Sequence, residues 1–340
     1  MHKLEIKLKQ HTPLIHFQHD QEGATLRASE VKPKLDKFII RKLKESGEFE
    51  NGVSEGWIKA QNGKEWLDYK MRIEAKNFQD IAIPIKPVKK RGELQTDDIG
   101  RQLYATNNYP DNNASLIMSN IGGRVREEIF NLSVANSVFI IIHVNNNTLQ
   151  SRLKKEVCLF FAKNSFGNRT SKGFGSFEVK SINGVEEESF LDSDSYVLSF
   201  TMSVGNEINK DVVYKDVFRI IQSIWKTLKN ISDVRGKAEK NVLLKISPQR
   251  IDGADRIPSP IIFKPLIDFY KENGSYFCDV NIATFFNKDV IKCVTGNVQT
   301  QYYKEKLSDL NNFIGANLYN YLNNITECKI DRQSVNIGLL

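Results

Sequence analysis

The segment Phe166-Gly167-Asn168-Arg169-Thr170-Ser171-Lys172-Gly173-Phe174-Gly175-Ser176-Phe177 gathers three glycines, Arg169 and Lys172 into one short stretch. Glycine tolerates positive φ and lets a ligand come close to the backbone. Successive N–H groups in such turns form concavities that bind anions. The chemistry this suggests is binding of a phosphate backbone. It is not a Walker A loop, because Lys172 precedes its glycine and no Gly-Lys-Ser/Thr occurs. Nor is it the dinucleotide fingerprint, since the helical pattern comes before the loop rather than after it. A helix C-cap with left-handed glycines explains the same residues equally well.

Two further concentrations of charge stand out. Arg27, Lys32, Lys34 and Lys37 fall at the start of a helical pattern, where backbone N–H groups already favour anions. A solvated helix face is the plain alternative. Near the other end, Asp255-Arg256-Ile257-Pro258-Ser259-Pro260 runs on to Lys264 and Pro265, setting Arg256 and Lys264 around a proline-bounded strand. Protection of an edge strand by proline and lysine accounts for that pattern equally well.

Of the five histidines, His2, His11, His16 and His19 lie near the N-terminus. His16, His19 and Asp20 share one loop, where a histidine general base is conceivable, although solvated loop histidines are common. His143 sits inside the apolar run 137–144 and reads as a core histidine. Cys158, Cys278, Cys293 and Cys328 are scattered and form no Cys-x-x-Cys pair, so they read as reduced structural thiols with no zinc site. No cofactor or metal is expected.

Charged residues are 26% and hydrophobic residues 40% of the 340, the balance of a globular chain rather than a disordered one. Lys plus Arg number 48 against 41 acidic residues, a net charge of +7. That excess suits a polyanion, since each phosphate contact releases counterions. No apolar run reaches the length of a membrane span, and the N-terminus alternates like a strand rather than a signal peptide. A cytoplasmic location with no membrane partner is expected.

The elements that position these residues follow from periodicity. Leu4, Ile6 and Leu8 alternate with charged neighbours, predicting a half-buried strand over 3–9. Leu35, Phe38, Ile39 and Leu43 predict a helix capped by Ser29, with Pro33 in its first turn. Trp57 and the alternation Tyr69, Met71, Ile73 suggest a hairpin, followed by turn-rich stretches at 84–92 and 107–113. Strands are predicted at 137–144 and from Phe177, with a helix at 148–163 between them. The pattern recurs, with strands at 196–202, 242–246, 261–263 and 276–280 and helices at 212–229 and 301–323. The expected fold class is therefore α+β: tandem ferredoxin-like (RRM-like, βαββαβ) domains with an irregular insertion in the first. The expected domains are 1–190 and 191–340, their boundary marked near Asn183-Gly184 and the acidic run after it.

Three of these segments together resemble the RAMP superfamily of CRISPR-associated proteins. Thr12-Pro13-Leu14 followed by Leu26-Arg27-Ala28-Ser29 is similar to the superfamily's N-terminal "TPL … iRgSsikGalR" pattern. Asn168-Arg169-Thr170-Ser171-Lys172-Gly173-Phe174-Gly175-Ser176 resembles its "sRkGfGs" loop, and Arg256-Ile257-Pro258-Ser259-Pro260-Ile261 its "R.aSPl" element. Glu30-Val31-Lys32-Pro33-Lys34-Leu35 replaces the usual "KGalR", and residues 50–125 match nothing in the pattern. Within the superfamily the chain is most similar to the first-subunit family of the type III-B Cmr effector complex. That resemblance implies a non-catalytic, RNA-binding subunit near the crRNA 3′ end and the far end of the target duplex. Its partners would be crRNA, target RNA and the other subunits of a type III ribonucleoprotein. The implied contacts are Arg27, Lys32, Lys34, Gly167, Arg169, Lys172, Gly173, Gly175, Arg256 and Lys264, with bases stacking on an exposed Phe174. The alternative within the superfamily is a metal-independent crRNA-processing endoribonuclease using His16, His19 and Asp20.

Overall fold

The structure, a computed structural model, describes residues 1–15, 25–87, 89–90, 93–94, 104–106, 117–118, 129–167, 170–188, 196–232, 261–286 and 318–339. It divides into two compact units. The first comprises 1–80, 132–168 and 174–192; the second comprises 81–131, 169–173 and 193–340. Both are built from antiparallel sheets and helices, as expected for an α+β chain.

In the first unit, β1 (His2–Gln10) is the central strand. It pairs antiparallel with β9 (Ile129–Val144) on one side and β10 (Phe177–Ile182) on the other. β4 (Tyr69–Pro87) lies beyond β9, and the short β11 (Val185–Glu186) beyond β10, giving the order β11-β10-β1-β9-β4. Alternation decides the faces. Leu4, Ile6 and Leu8 of β1 and Val138, Ile140, Ile142 and Val144 of β9 are buried on one side. Two helices cover that side: α1 (Ala28–Ser46) and α3 (Asn147–Lys163).

Helix α1 begins at Arg27, not Ser29. Arg27 is extended and caps only with its carbonyl, so Ser29 lies within the helix and Pro33 falls in the second turn. At the other end Gly47 takes φ 75° and closes a Schellman motif, with Glu48 N–H donating to the Leu43 carbonyl. The short α2 (Phe49–Ser54) leads to the hairpin β2 (Ile58–Gln61) and β3 (Lys64–Leu67), turned by Asn62 and Gly63. Sequence alternation predicts a modest hairpin arm from Tyr69. Instead β4 runs on through Pro84 to Pro87.

The second unit holds the outer end of β4, whose Ile85–Pro87 pairs with β7 (Tyr104–Thr106), which pairs in turn with β8 (Ile117–Met118). The pair β5 (Lys89–Lys90) and β6 (Glu93–Leu94) also belongs here. Its main sheet has the order β13 (Ile261–Glu272), β14 (Ser275–Phe286), β12 (Tyr196–Gly205), β15 (Lys329–Ile330), with β16 (Asn336–Leu339) also on β12. Helices α4 (Lys210–Ser232) and α5 (Leu318–Ile325) complete it. The strand predicted at 242–246 and the first part of the helix at 301–323 lie outside the described residues.

Asn183 and Gly184, with φ of 51° and 80°, are the two-residue turn between β10 and β11, and the last segment of the first unit runs on to residue 192. One sequence expectation changes. His143 is half-buried and faces away from the core. Its neighbours Ile142 and Val144 fill the core, and period-two alternation puts His143 opposite them.

Candidate nucleic-acid interface

The glycine-containing loop is fastened at both ends by aromatic side chains. Phe166 and Phe177 are fully buried, their ring centroids 6.0 Å apart, and Phe166 also meets Phe160 and Phe161 at 5.9 and 5.4 Å. Such edge-on pairs add about 0.5–1.5 kcal/mol each beyond their burial. Between these anchors the loop clasps the segment that leaves β1. Phe166 N–H donates to the Gly175 carbonyl (2.9 Å), and Gly175 N–H to the Pro13 carbonyl (2.8 Å). Ser176 N–H donates to Thr12 Oγ1 (3.0 Å), and His11 N–H to the Ser176 carbonyl (2.9 Å). Thr12-Pro13-Leu14 and the glycine loop, far apart in sequence, thus form one backbone assembly.

The start of α1 joins the same assembly. Gly167 N–H donates to Glu30 Oε1 (2.8 Å), which also accepts from Lys34 Nζ (3.0 Å). The Lys34 ammonium lies 4.9 Å from the Phe166 ring centroid. Lys34 is exposed beyond this pair, whereas Lys32 is turned inward. It bridges Asp36 (2.7 Å), the Leu67 carbonyl (3.0 Å) and the Tyr69 ring (4.1 Å). Burial raises the Asp36 carboxyl above its ordinary range and pushes the Tyr69 hydroxyl well above its own. Lys32 therefore holds β3 against α1, and the expectation of a phosphate contact there is corrected.

The glycines serve packing rather than a ligand's approach. A Cβ on Gly175 would stand 1.8 Å from the Phe166 carbonyl oxygen, and one on Gly167 would stand 2.5 Å from the Ile15 carbonyl oxygen. In the second unit, a Cβ on Gly173 would meet Ile221 at 2.5 Å and Pro265 at 3.2 Å. All three have positive φ. They do not cap α3, because Asn164 is extended at its C-cap and its side chain donates to the Phe160 carbonyl (2.8 Å). Neither the cap nor an open phosphate cradle fits. The space beside each glycine is filled by the chain itself.

Phe174 is fully buried, so its ring is not open to base stacking, and that expectation is corrected. Lys264 is buried as well, on β13 opposite Ala283, which removes it from the candidate phosphate contacts. β13 is an edge strand and carries Pro265, as the edge-protection reading has it. Lys172 is half-buried in the 3-10 turn Thr170–Lys172, grouped with the second unit. Arg27 is half-buried at the N-cap of α1. Arg169, Arg256, His16, His19 and Asp20 lie outside the described residues. Ile15 and Gly167, the last described residues before 16–24 and 168–169, are nevertheless neighbours, since the Ile15 carbonyl abuts Gly167.

Sequence reasoning missed two polar clusters. His11 is buried with its Nε2 3.1 Å from Glu178, which also pairs with Lys180 at 2.7 Å. In the second unit, Asp216 accepts from the Glu327 and Cys328 backbone N–H groups (2.8 Å each) and pairs with buried Arg219 (3.1 Å). The i, i+3 spacing of Asp216 and Arg219 was the only signal for the latter. Among the described residues no His, Cys, Asp and Glu cluster could hold a metal ion, and no helix is long and apolar enough to cross a membrane.

A family model described as "Cmr1 N-terminal domain" matches residues 1–231. The chain belongs to the Cmr1 family. No curated protein matches it. Among solved structures, this Cmr1-family chain is similar to the apo crystal structure of Cmr1 from Pyrococcus furiosus, at 13% identity and a TM-score of 0.37, covering 85% of this chain and 89% of that one. It is also similar to a chain in a cryo-EM structure of the type III-B Cmr-beta bound to cognate target RNA, at 13% identity and a TM-score of 0.34. There the match covers 54% of this chain and spans 60% of the length of the other.

Proposed function

We propose that this Cmr1-family chain is an RNA-binding subunit of a type III-B CRISPR effector complex, acting in antiviral defence in the cytoplasm. It would contact the crRNA 3′ region, the target RNA or both. The observation that carries the reading is the clasp: two segments with RAMP-like sequences, Thr12-Pro13-Leu14 and the loop 166–177, are bonded to each other in a chain of this family. The net charge of +7 supports a polyanionic partner. The reading includes two tandem ferredoxin-like domains, 1–190 and 191–340. Its support is that β10-β1-β9-β4 and β15-β12-β14-β13 both follow the split order in which the first strand lies between the fourth and the third.

Arg27, Lys34, Arg169, Lys172 and Arg256 are the proposed phosphate contacts. The test is RNA affinity of the purified protein, alone and in its complex, across a salt series. The expected result is log affinity falling linearly with log salt, by roughly 0.7 per phosphate contact on a single strand. A smaller slope is expected in the Arg169→Ala, Lys172→Ala double variant. Affinity that is absent or indifferent to salt refutes the proposal.

The adjacency of Ile15 and Gly167 supports one second reading, the metal-independent endoribonuclease, because His16, His19 and Asp20 follow Ile15 in the chain. Incubation with repeat RNA in EDTA separates the two. Specific cutting that His16→Ala or His19→Ala abolishes would establish the nuclease.

A further inference from the structure

The face of the first unit's sheet that its helices leave uncovered carries an uneven charge. On β1, alternation with Leu4, Ile6 and Leu8 turns Lys3, Glu5 and Lys7 to this face. On β9 it carries Phe139, Ile141 and His143, which stand directly opposite Lys7, Glu5 and Lys3. On β4, Tyr69, Met71, Ile73 and Ala75 pack toward the core, leaving Lys70, Arg72, Glu74 and Lys76 on the open side. Lys3 pairs with Glu5 and Arg72 with Glu74, both at 2.7 Å. Lys7, Lys70 and Lys76 are exposed and make no ion pair among the described residues. Half-buried Phe139 stands directly opposite Lys7, on the strand flanked by β1 and β4.

The corresponding face of the second unit is a control within the same chain. Register puts Ser199, Thr201, Asn281, Asp279 and Asp268 on it, with two carboxylates directly opposite each other. Thr201 and Tyr270 both hydrogen-bond Asp279, and Lys264 on the same face is buried, so what the face exposes is acceptors and hydroxyls. A polyanion is repelled there and attracted by the first.

We infer that the open face of the β1-β9-β4 sheet is a binding platform for single-stranded RNA, with phosphates on Lys7, Lys70 and Lys76 and a base stacked on Phe139. The inference rests on the RNA-binding reading above and assigns it a surface that none of the sequence motifs reaches. The chemistry is general: a sheet face offers flat rings for stacking and rows of cations along its strands, with Lys70 and Lys76, six residues apart on β4, separated by about 20 Å and adjacent strands by about 4.8 Å.

The test uses the full chain and a fluorescently labelled oligouridylate, with binding read by anisotropy across a potassium chloride series. Lys7→Gln, Lys70→Gln and Lys76→Gln combined should reduce the salt slope by roughly 2, at about 0.7 per contact, and weaken binding at low salt more than tenfold. Phe139→Leu, which keeps an apolar side chain in place, should weaken binding about fivefold or more without changing the slope. Lys59→Gln with Lys64→Gln, on the β2–β3 hairpin, should leave binding unchanged. If the triple variant binds like the parent, the inference falls while the RNA-binding reading stands. If the parent itself shows no salt-sensitive affinity, both fall. If the triple variant keeps its RNA affinity but fails to join the other subunits, the face docks an acidic protein instead, and the inference is overturned. Unchanged circular dichroism and Tm confirm that these exposed substitutions leave the fold intact.

Discussion

Replacing Gly175 by alanine tests whether the clasp holds the first unit together. At φ 67°, a non-glycine residue costs about 1–2 kcal/mol before any contact is considered. The added Cβ would also stand 1.8 Å from the Phe166 carbonyl oxygen and 2.8 Å from its carbon, atoms of backbone rather than of a flexible side chain. One strand of the clasp must move. That breaks or weakens the Phe166-to-Gly175 and Gly175-to-Pro13 hydrogen bonds, each leaving a buried group unsatisfied at about 1–3 kcal/mol. The expected loss is therefore about 3–8 kcal/mol. Gly184→Ala supplies the comparison: φ is 80°, but nothing lies within 4 Å of the new Cβ, so only the conformational cost of about 1–2 kcal/mol applies. Calorimetry should then place the Gly175 variant's Tm roughly 6–18 °C below that of the Gly184 variant, at about 3 °C per kcal/mol. Amide exchange at His11 and Ser176, both within the clasp, should accelerate only in the Gly175 variant. Equal losses in the two variants, or unchanged exchange at these amides, would refute the reasoning.

Asp216→Ala removes the acceptor of two backbone N–H groups and one of the two carboxylates that pair with buried Arg219, the other being Glu327 at 3.0 Å, at a cost of about 2–5 kcal/mol in a urea titration at neutral pH; a loss below about 1 kcal/mol counts against it. Burial also raises the Asp216 carboxyl above its ordinary value, so the native state binds this proton more tightly than the unfolded chain. Its contribution to stability is full below the ordinary carboxylate pKa and falls as pH rises through the raised one. Asp216→Asn should flatten that fall in a pH series of urea midpoints, and an unaltered slope would contradict the assignment. Cys158 and Cys328 are pushed up by burial and neighbouring carboxylates, to about 11 and about 12. At pH 7.5 the Cys158 thiolate is on the order of 300-fold scarcer than in a free cysteine of pKa about 8.5. Peptide mapping after iodoacetamide should find both thiols unmodified in the folded protein and labelled after denaturation; rapid native labelling would refute this.

Legibility in the sequence followed the range of the interaction concerned. β1, α1, α3 and α4 declare themselves because their periodicity is local, with Leu4, Ile6 and Leu8 at period two and Leu35, Phe38, Ile39 and Leu43 at helical spacing. The grouping of Thr12-Pro13-Leu14 with the loop 166–177 came from family resemblance, and nothing in their spacing predicts the backbone bonds between them. Lys32 was misjudged for the same reason: its Leu67 and Tyr69 partners lie more than thirty residues away, and neither is of opposite charge. Glycine gave the right location and the wrong purpose, since sequence cannot tell whether the vacant Cβ space belongs to a ligand or to Phe166 and Ile15. Lys264 looks like a surface residue by type and Phe174 by its place in a charged loop, and only burial on an edge strand and inside the clasp reveals otherwise.

The two sheets show why net charge is a weak guide to where a polyanion binds. Both use the same alternation and a similar strand order, yet one open face presents Lys7, Lys70 and Lys76 while the other presents Asp268 against Asp279. A total of +7 describes neither. At physiological salt, charges farther apart than about 8 Å are largely screened from one another. A phosphate at the first face therefore responds to the few lysines within one or two strand spacings rather than to the total. The faces are set by register. Had β1 slipped by one residue, Leu4, Ile6 and Leu8 would face water, and Lys3 and Lys7 would be driven into the core. The hydrophobic pattern that folds the first sheet thus also fixes which side is cationic, so the proposed RNA platform and the fold of this unit depend on one register.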